Sequence, residues 1–221
     1  MTGHLWNLIT SISPILLLVG VIVGFFYFRY LDKSFRMIFL YMAMSLIMDL
    51  ISRYLGYYSI FKNNLFLIPV FGFLELAIIS TLYYKYILKI KSVPLLLFIV
   101  TMLLIILYEI IIAPILPYRK YFFSIGKIIA DVSVIFFCMY YYWRVFKWQI
   151  PIKSQYNLMN AAIFIYYSIS LLNYLTINFL INEKLSIVTF FWVIRFISMI
   201  LFYLVLIYLI WQDGKTRKIL R

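Results

Sequence analysis

The sequence predicts an all-α polytopic membrane protein: a bundle of seven transmembrane helices, N-terminus outside and C-terminus cytoplasmic. Three observations carry that prediction. Of 221 residues, 67% are apolar and only 12% charged, whereas a soluble domain is about half apolar and a quarter charged. The apolar residues gather into runs of roughly 20, the length at which a helix crosses a ~30 Å hydrocarbon core. The basic residues fall in the gaps between runs, and mostly in alternate gaps. A transmembrane β-barrel would instead show ~10-residue alternating segments, and the run 95–106 does not alternate.

The spans lie at about residues 8–28, 37–58, 65–84, 93–116, 121–143, 157–181 and 187–211, a single transmembrane domain followed by a short basic tail over 212–221. Span 1 lacks a basic segment before it and a small-residue cleavage site after it, so it reads as an uncleaved anchor. Span 2 carries Asp49 and Arg53. Span 3 places Pro69 and Gly72 one turn ahead of Glu75, a pair that either kinks the span or simply starts its helix. Span 4 holds Glu109 near its outer end, and Pro117 to Lys120 make a tight turn into span 5, with Lys127 and Asp131. Span 6 contributes Asn173, with Tyr166 and Ser170 on one stripe, and span 7 contributes Arg195. Tyr57 with Tyr58, Tyr83 with Tyr84, and Tyr140 to Trp143 stand at span ends, where aromatic belts anchor to the interface. The loops are too short for an independent fold outside the bilayer.

Orientation follows from the bases. Arg29, Lys33 and Arg36, then Lys85, Lys89 and Lys91, then Arg144, Lys147 and Lys153, then Lys215, Arg217, Lys218 and Arg221 all fall on one side. Only Lys62, Arg119, Lys120 and Lys184 fall on the other. The more basic side is cytoplasmic by the positive-inside rule. This placement also explains the net charge of +13 without nucleic acid as a partner. The lipid bilayer is the partner that the composition implies.

Seven charges remain inside spans: Arg53, Lys127 and Arg195, with Asp49, Glu75, Glu109 and Asp131. Each would cost roughly 2.5–3.5 kcal/mol at a helix centre, so they should face the bundle interior and pair. Asp49 with Arg53 and Lys127 with Asp131 are spaced i, i+4 and can share one helical face. Ser45 and Gly56 lie on the first of these faces, Ser124 and Cys138 on the second. Glu75 and Arg195 have no opposite charge on their own helices; a bridge between them would be structural, an unbridged pair a binding site. Depth places these groups in the outer half, above a cytoplasmic half closed by apolar packing. The expected ligand-binding set is therefore Asp49, Arg53, Glu75, Lys127, Asp131, Asn173 and Arg195, in a polar pocket open to the outside. The opposing reading is that buried pairs fix helix register.

Other chemistries lack their residues. His4 is the sole histidine and Cys138 the sole cysteine. That leaves no base for a membrane-embedded Ser–His dyad, no multi-histidine metal site and no internal disulfide. No hydrolase elbow or phosphate-binding loop occurs, and no cofactor is expected. Arginine cannot form the retinal linkage that a lysine in span 7 would, which argues against an opsin. The Pro-Gln repeats of seven-span sugar transporters are absent. The Asp-Arg-Tyr and Asn-Pro-x-x-Tyr signatures of G-protein-coupled receptors are absent too.

The stretch Met48-Asp-Leu-Ile-Ser-Arg-Tyr-Leu-Gly-Tyr-Tyr58, followed by Asn63-Asn-Leu-Phe-Leu67 and Phe73-Leu-Glu-Leu76, resembles a group of uncharacterised seven-transmembrane-helix proteins of Bacteroidota. The resemblance is clearest over residues 37–85 and departs from the pattern at Pro69. It implies a bacterial inner-membrane protein, often expected beside a histidine kinase, and implies no established activity. The leading expectation is a sensor that binds a small amphipathic or lipid ligand and signals to a cytoplasmic or membrane partner such as a histidine kinase. The alternatives are an intramembrane lipid hydrolase using paired carboxylates, similar in plan to the lysoplasmalogenases though sharing no motif with them, a small-solute transporter, and a structural subunit.

Overall fold

The computed structural model describes residues 11–58, 64–89, 92–112, 125–149, 153–182 and 188–220. Among them every regular element is helical: α1 Ile12–Tyr27, α2 Lys33–Tyr58, α3 Leu67–Thr81 continued by a π-helical segment Leu82–Ile87, α4 Val93–Ile112, α5 Ile125–Trp148, α6 Ser154–Asn182 and α7 Val188–Ile219. Six of these, α2 to α7, are long and apolar enough to cross a membrane, and α1 is a shorter apolar helix of 16 residues. At 1.5 Å per residue α1 extends about 24 Å. The chain is thus a helical membrane bundle. The turn expected over 117–120 lies outside the described residues, as do His4, Lys62 and Lys184.

The helices are ordered by how much of each must leave lipid. α1, α2, α3, α5, α6 and α7 pack successively, α7 returns to α1 and α2, and α4 lies against α3 and α5. α4 is the peripheral helix: Leu95, Ile99 and Ile106 face inwards, whereas Val93, Leu97, Leu104, Tyr108 and Ile111 are exposed. An aliphatic helix of this kind is at home in hydrocarbon. α5 is the opposite case. Gly126, Lys127, Ala130, Asp131, Ser133, Val134, Phe137, Cys138 and Tyr141 are all buried. Their three- and four-residue spacing makes a broad inner stripe that carries both of the helix's intramembrane charges.

Two glycines set how closely α3 and α5 approach. A Cβ on Gly72 would stand 3.3 Å from the Lys127 Cα, and one on Gly126 would meet Glu109 Oε2 at 2.9 Å and Pro69 Cβ at 3.3 Å. Small residues at a membrane helix contact let backbones come together, and here they bring the acid of α3 to the base of α5. Pro69 falls in the first turn of α3, where its missing N–H would have had no helical acceptor, so it starts the helix.

One expectation from the sequence is revised. Tyr83 and Tyr141 stood at span ends as belt residues, but both are buried. The helical path continues through Ile87 and Trp148, which leaves these rings inside the bundle while Trp143 remains half exposed. The basic tail continues the last helix. α7 runs on to Ile219, and Arg217 binds Asp213 (Nε to Oδ1, 3.0 Å) and Asp32 (Nη2 to Oδ2, 3.3 Å), tying the end of α7 to the α1–α2 connection.

The glycine contact gives the first prediction. Gly72→Val should lower the melting temperature of the detergent-purified protein, in line with an overpacking cost of about 1–3 kcal/mol. Gly56→Ala, whose added carbon would meet only the Asn64 side chain at 3.6 Å, should melt within error of wild type.

Candidate functional site

Six of the seven charges expected inside spans separate into two groups. The inner group is a sealed triad. Glu75, eight residues into α3, and Lys127 and Asp131 on α5 are each 0% exposed. Lys127 Nζ donates to Glu75 Oε2 at 2.5 Å and to Asp131 Oδ1 at 2.6 Å. The remaining oxygens are also satisfied. Tyr41 and Tyr167 hydroxyls donate to Glu75 Oε1 at 2.9 and 3.1 Å, and Ser170 Oγ donates to Asp131 Oδ2 at 2.8 Å. The ammonium also lies over the rings of Tyr167 at 5.1 Å, Tyr174 at 5.6 Å and Phe71 at 5.8 Å. Four helices, α2, α3, α5 and α6, thereby converge on one ammonium. A buried charge is tolerated only when paired and hydrogen-bonded throughout, and this triad meets that condition.

The outer group lines a half-open cavity of about 310 Å³ between α1, α2, the start of α3, α6 and the start of α7. Asp49, Arg53 and Arg195 lie on its wall together with Ser45, Tyr174 and Trp192. Asp49 and Arg53 form the expected i, i+4 ion pair at 2.8 Å, each about a quarter exposed. Arg195 is different. Its guanidinium stacks over Tyr174 at 4.5 Å and Trp192 at 5.4 Å, yet among the described residues it has neither an ion pair nor a hydrogen bond through its side chain. Ser45, 2% exposed, also lines the cavity, and its hydroxyl has no hydrogen-bond partner among those residues. Unsatisfied buried polar groups are rare and call for an explanation. Here a cation with free donors and an unmatched hydroxyl share one cavity.

The ring of Tyr174 joins the two groups, since it contacts Arg195 and lies under Lys127. With both acids ionised the triad carries one net negative charge. Of the two alternatives for Glu75 and Arg195, the bridge does not form, because Lys127 occupies Glu75. Asn173 enters neither group. Its amide donates to the Phe191 carbonyl at 2.5 Å, bracing α6 against α7, while its own carbonyl oxygen is buried without a partner among the described residues. Glu109 accepts the Gly126 N–H beside the start of α5.

Sequence reasoning overlooked several participants. Tyr41 stands four residues before Ser45 on the stripe that leads to Asp49, and that spacing could have revealed it. Tyr167 and Tyr174 flank the anticipated Tyr166–Ser170–Asn173 stripe by a single position each. A neutral polar cluster was also missed in the half expected to be purely apolar. Tyr83 donates to Asn160 Oδ1 at 2.5 Å and contacts Cys138 Sγ at 3.2 Å, and Asn160 Nδ2 reaches the Cys138 carbonyl at 3.3 Å. Cys138 is a buried free thiol, as expected. Among the described residues no group of His, Cys, Asp and Glu is placed to hold a metal ion.

The triad predicts a non-additive stability pattern. Lys127→Met leaves two carboxylates unneutralised and should destabilise by about 3–5 kcal/mol. Combining it with Glu75→Gln and Asp131→Asn should recover much of that loss, because no buried charge is then left alone; thermal melts of the purified variants in one detergent provide the check. No family model, no curated protein and no solved structure matches this chain.

Proposed function

We propose that the chain is a multi-pass sensor-like protein of a bacterial inner membrane that binds a small amphipathic or lipid ligand in the outer cavity. The observation that supports this reading best is Arg195, a cation without a carboxylate partner among the described residues, on the wall of a cavity that also holds the unmatched Ser45 hydroxyl. An anionic headgroup would accept from the guanidinium, whose planar fork suits carboxylate and phosphate. The ligand's apolar part would lie against Met48, Leu67, Ile68, Phe196 and Met199. The charge count orients the cavity to the outside, with α7 leading to the cytoplasm.

Output would follow from what Arg195 touches. A ligand that draws the guanidinium away from Tyr174 loosens an α6–α7 contact, and α6 also carries Tyr167 and Ser170, the partners of the triad. α7 spans 32 residues, about 48 Å. Motion at its outer end would therefore be felt at Asp213 and Arg217, where a histidine kinase or another membrane partner would read it. The hydrolase alternative needs two carboxylates open to substrate. Glu75 and Asp131 are sealed, and Asp49 is the one carboxylate among the described residues on the cavity wall.

Native mass spectrometry of gently purified protein tests the reading. Wild type should retain an anionic amphiphile at about one per chain. Arg195→Ala should lose it by at least about tenfold, as expected for removal of a charge-assisted hydrogen bond, while Arg195→Lys keeps part of it. Equal retention by wild type and Arg195→Ala would remove the cavity from the account.

A further inference from the structure

A second cavity, of about 360 Å³, lies at the opposite, basic end of the bundle. It is enclosed by the end of α3, the last turns of α5, the start of α6 and Asp32. Three bases line it: Lys89, Arg144 and Lys153. Among the described residues none of the three has an ion-pair partner within 4 Å, although Asp32 acts on Lys153 at longer range. Asp32 is the one acid on the wall, and it is already engaged. It accepts from Tyr156 at 2.9 Å and from Ser34 at 3.4 Å and is paired with Arg217. Burial pushes its carboxyl up, but the Tyr156 hydroxyl, the Lys33 N–H, Arg217 and Lys153 together hold it below the usual carboxylate range. The cavity therefore carries two positive charges more than its wall neutralises.

One of the bases is also held in place. Arg144 donates one guanidinium nitrogen to the Leu88 carbonyl at 2.6 Å, which fixes the side chain and leaves its other donors open. Leu88 ends the π-helical segment, and the next residue, Lys89, has φ of 50°, a left-handed conformation usually left to glycine at a helix end. Strained backbone and π-helical turns gather at functional sites. Tyr141, 6% exposed, lines the same cavity, and its hydroxyl is buried with no partner among the described residues. A donor without an acceptor among the described residues, beside three bases that outnumber the one acid on the wall, is the complement of a multiply charged oxyanion.

We propose that this cavity binds a phosphate group, through Arg144, Lys153 and Lys89 with the Tyr141 hydroxyl. It is separate from the outer cavity and stands whether or not that cavity binds a ligand. The phosphate could belong to a phospholipid headgroup or be free in solution, and both sources present the same tetrahedral oxyanion to the guanidinium.

The test uses the full chain in zwitterionic nanodiscs. Inorganic phosphate is titrated at constant ionic strength while melting is followed, and phosphatidylglycerol retention is measured in parallel by native mass spectrometry. At least one probe should bind, with Lys153→Gln and Arg144→Gln each weakening it about tenfold and Tyr141→Phe weakening it a few-fold. Lys218→Gln, a base at the same end but off the cavity wall, should leave binding unchanged. Phosphatidylglycerol alone binding would identify a headgroup site, and inorganic phosphate binding would identify a free-phosphate site. The Lys153 side chain is exposed and makes no hydrogen bond or close ion pair among the described residues, so its variant should fold even if Arg144→Gln does not. The proposal is overturned if neither probe binds, or if Lys153→Gln and Lys218→Gln weaken binding equally.

Discussion

One ammonium organises this bundle. Lys127 Nζ lies between the Glu75 and Asp131 carboxylates at 2.5 and 2.6 Å, and the groups that complete those carboxylates come from α2 and α6. Removing Lys127 would strand two carboxylates in a region without water, and removing a hydroxyl partner would leave a carboxylate oxygen less well matched. The triad is therefore a constraint that α2, α3, α5 and α6 satisfy together. It requires α3 and α5 to approach closely, hence Gly72 and Gly126 at their contact, and it requires tyrosines rather than phenylalanines at 41 and 167. Apolar packing against a lipid-like interior does not specify which helix faces which, since lipid tails are as apolar as leucine. A fully satisfied ionic knot does specify it.

With that centre fixed, the polar groups form layers along the bundle. The Asp49–Arg53 pair stands on the cavity wall, Arg195 lies over Tyr174, and the triad is beneath that ring. The neutral Tyr83–Asn160–Cys138 cluster follows towards the basic end, and Asp32, Asp213 and Arg217 then tie the α1–α2 connection to α7. The charged layers differ in one respect that matters for function. In the triad every carboxylate oxygen is matched and the ammonium is paired with both acids, whereas the two cavities contain cations and hydroxyls that the described residues leave unmatched. Matched charges hold a structure together, and unmatched ones are where a ligand gains affinity.

Two of the ion pairs formed within single helices, Asp49–Arg53 and Lys127–Asp131, were legible in the sequence because helical periodicity alone places residues four apart together. The bond between Glu75 and Lys127 was not. Three bases in other spans were available to Glu75, and the choice rests on how near two backbones come, which Gly72 and Gly126 determine only once their facing residues are known. The α6 stripe reached the triad at Ser170 but missed Tyr167 and Tyr174, each one position away, because a one-residue shift rotates a helix by about 100° and an apolar helix gives little signal to fix its rotation. Tyr83 and Tyr141 were misplaced for a related reason. Span ends were drawn where hydropathy falls, while hydrogen bonding carries α3 and α5 beyond those points.

The central claim is that the embedded charges divide into an open site and a closed one, and thiol accessibility tests it most directly. With Cys138→Ser as a cysteine-free background, single cysteines at 45 and at 170 report on the cavity and the triad respectively. In intact membranes a small anionic methanethiosulfonate should modify Ser45→Cys and leave Ser170→Cys unreacted over the same period. Comparable labelling at both positions, or labelling at 170 alone, would contradict the division on which the account rests.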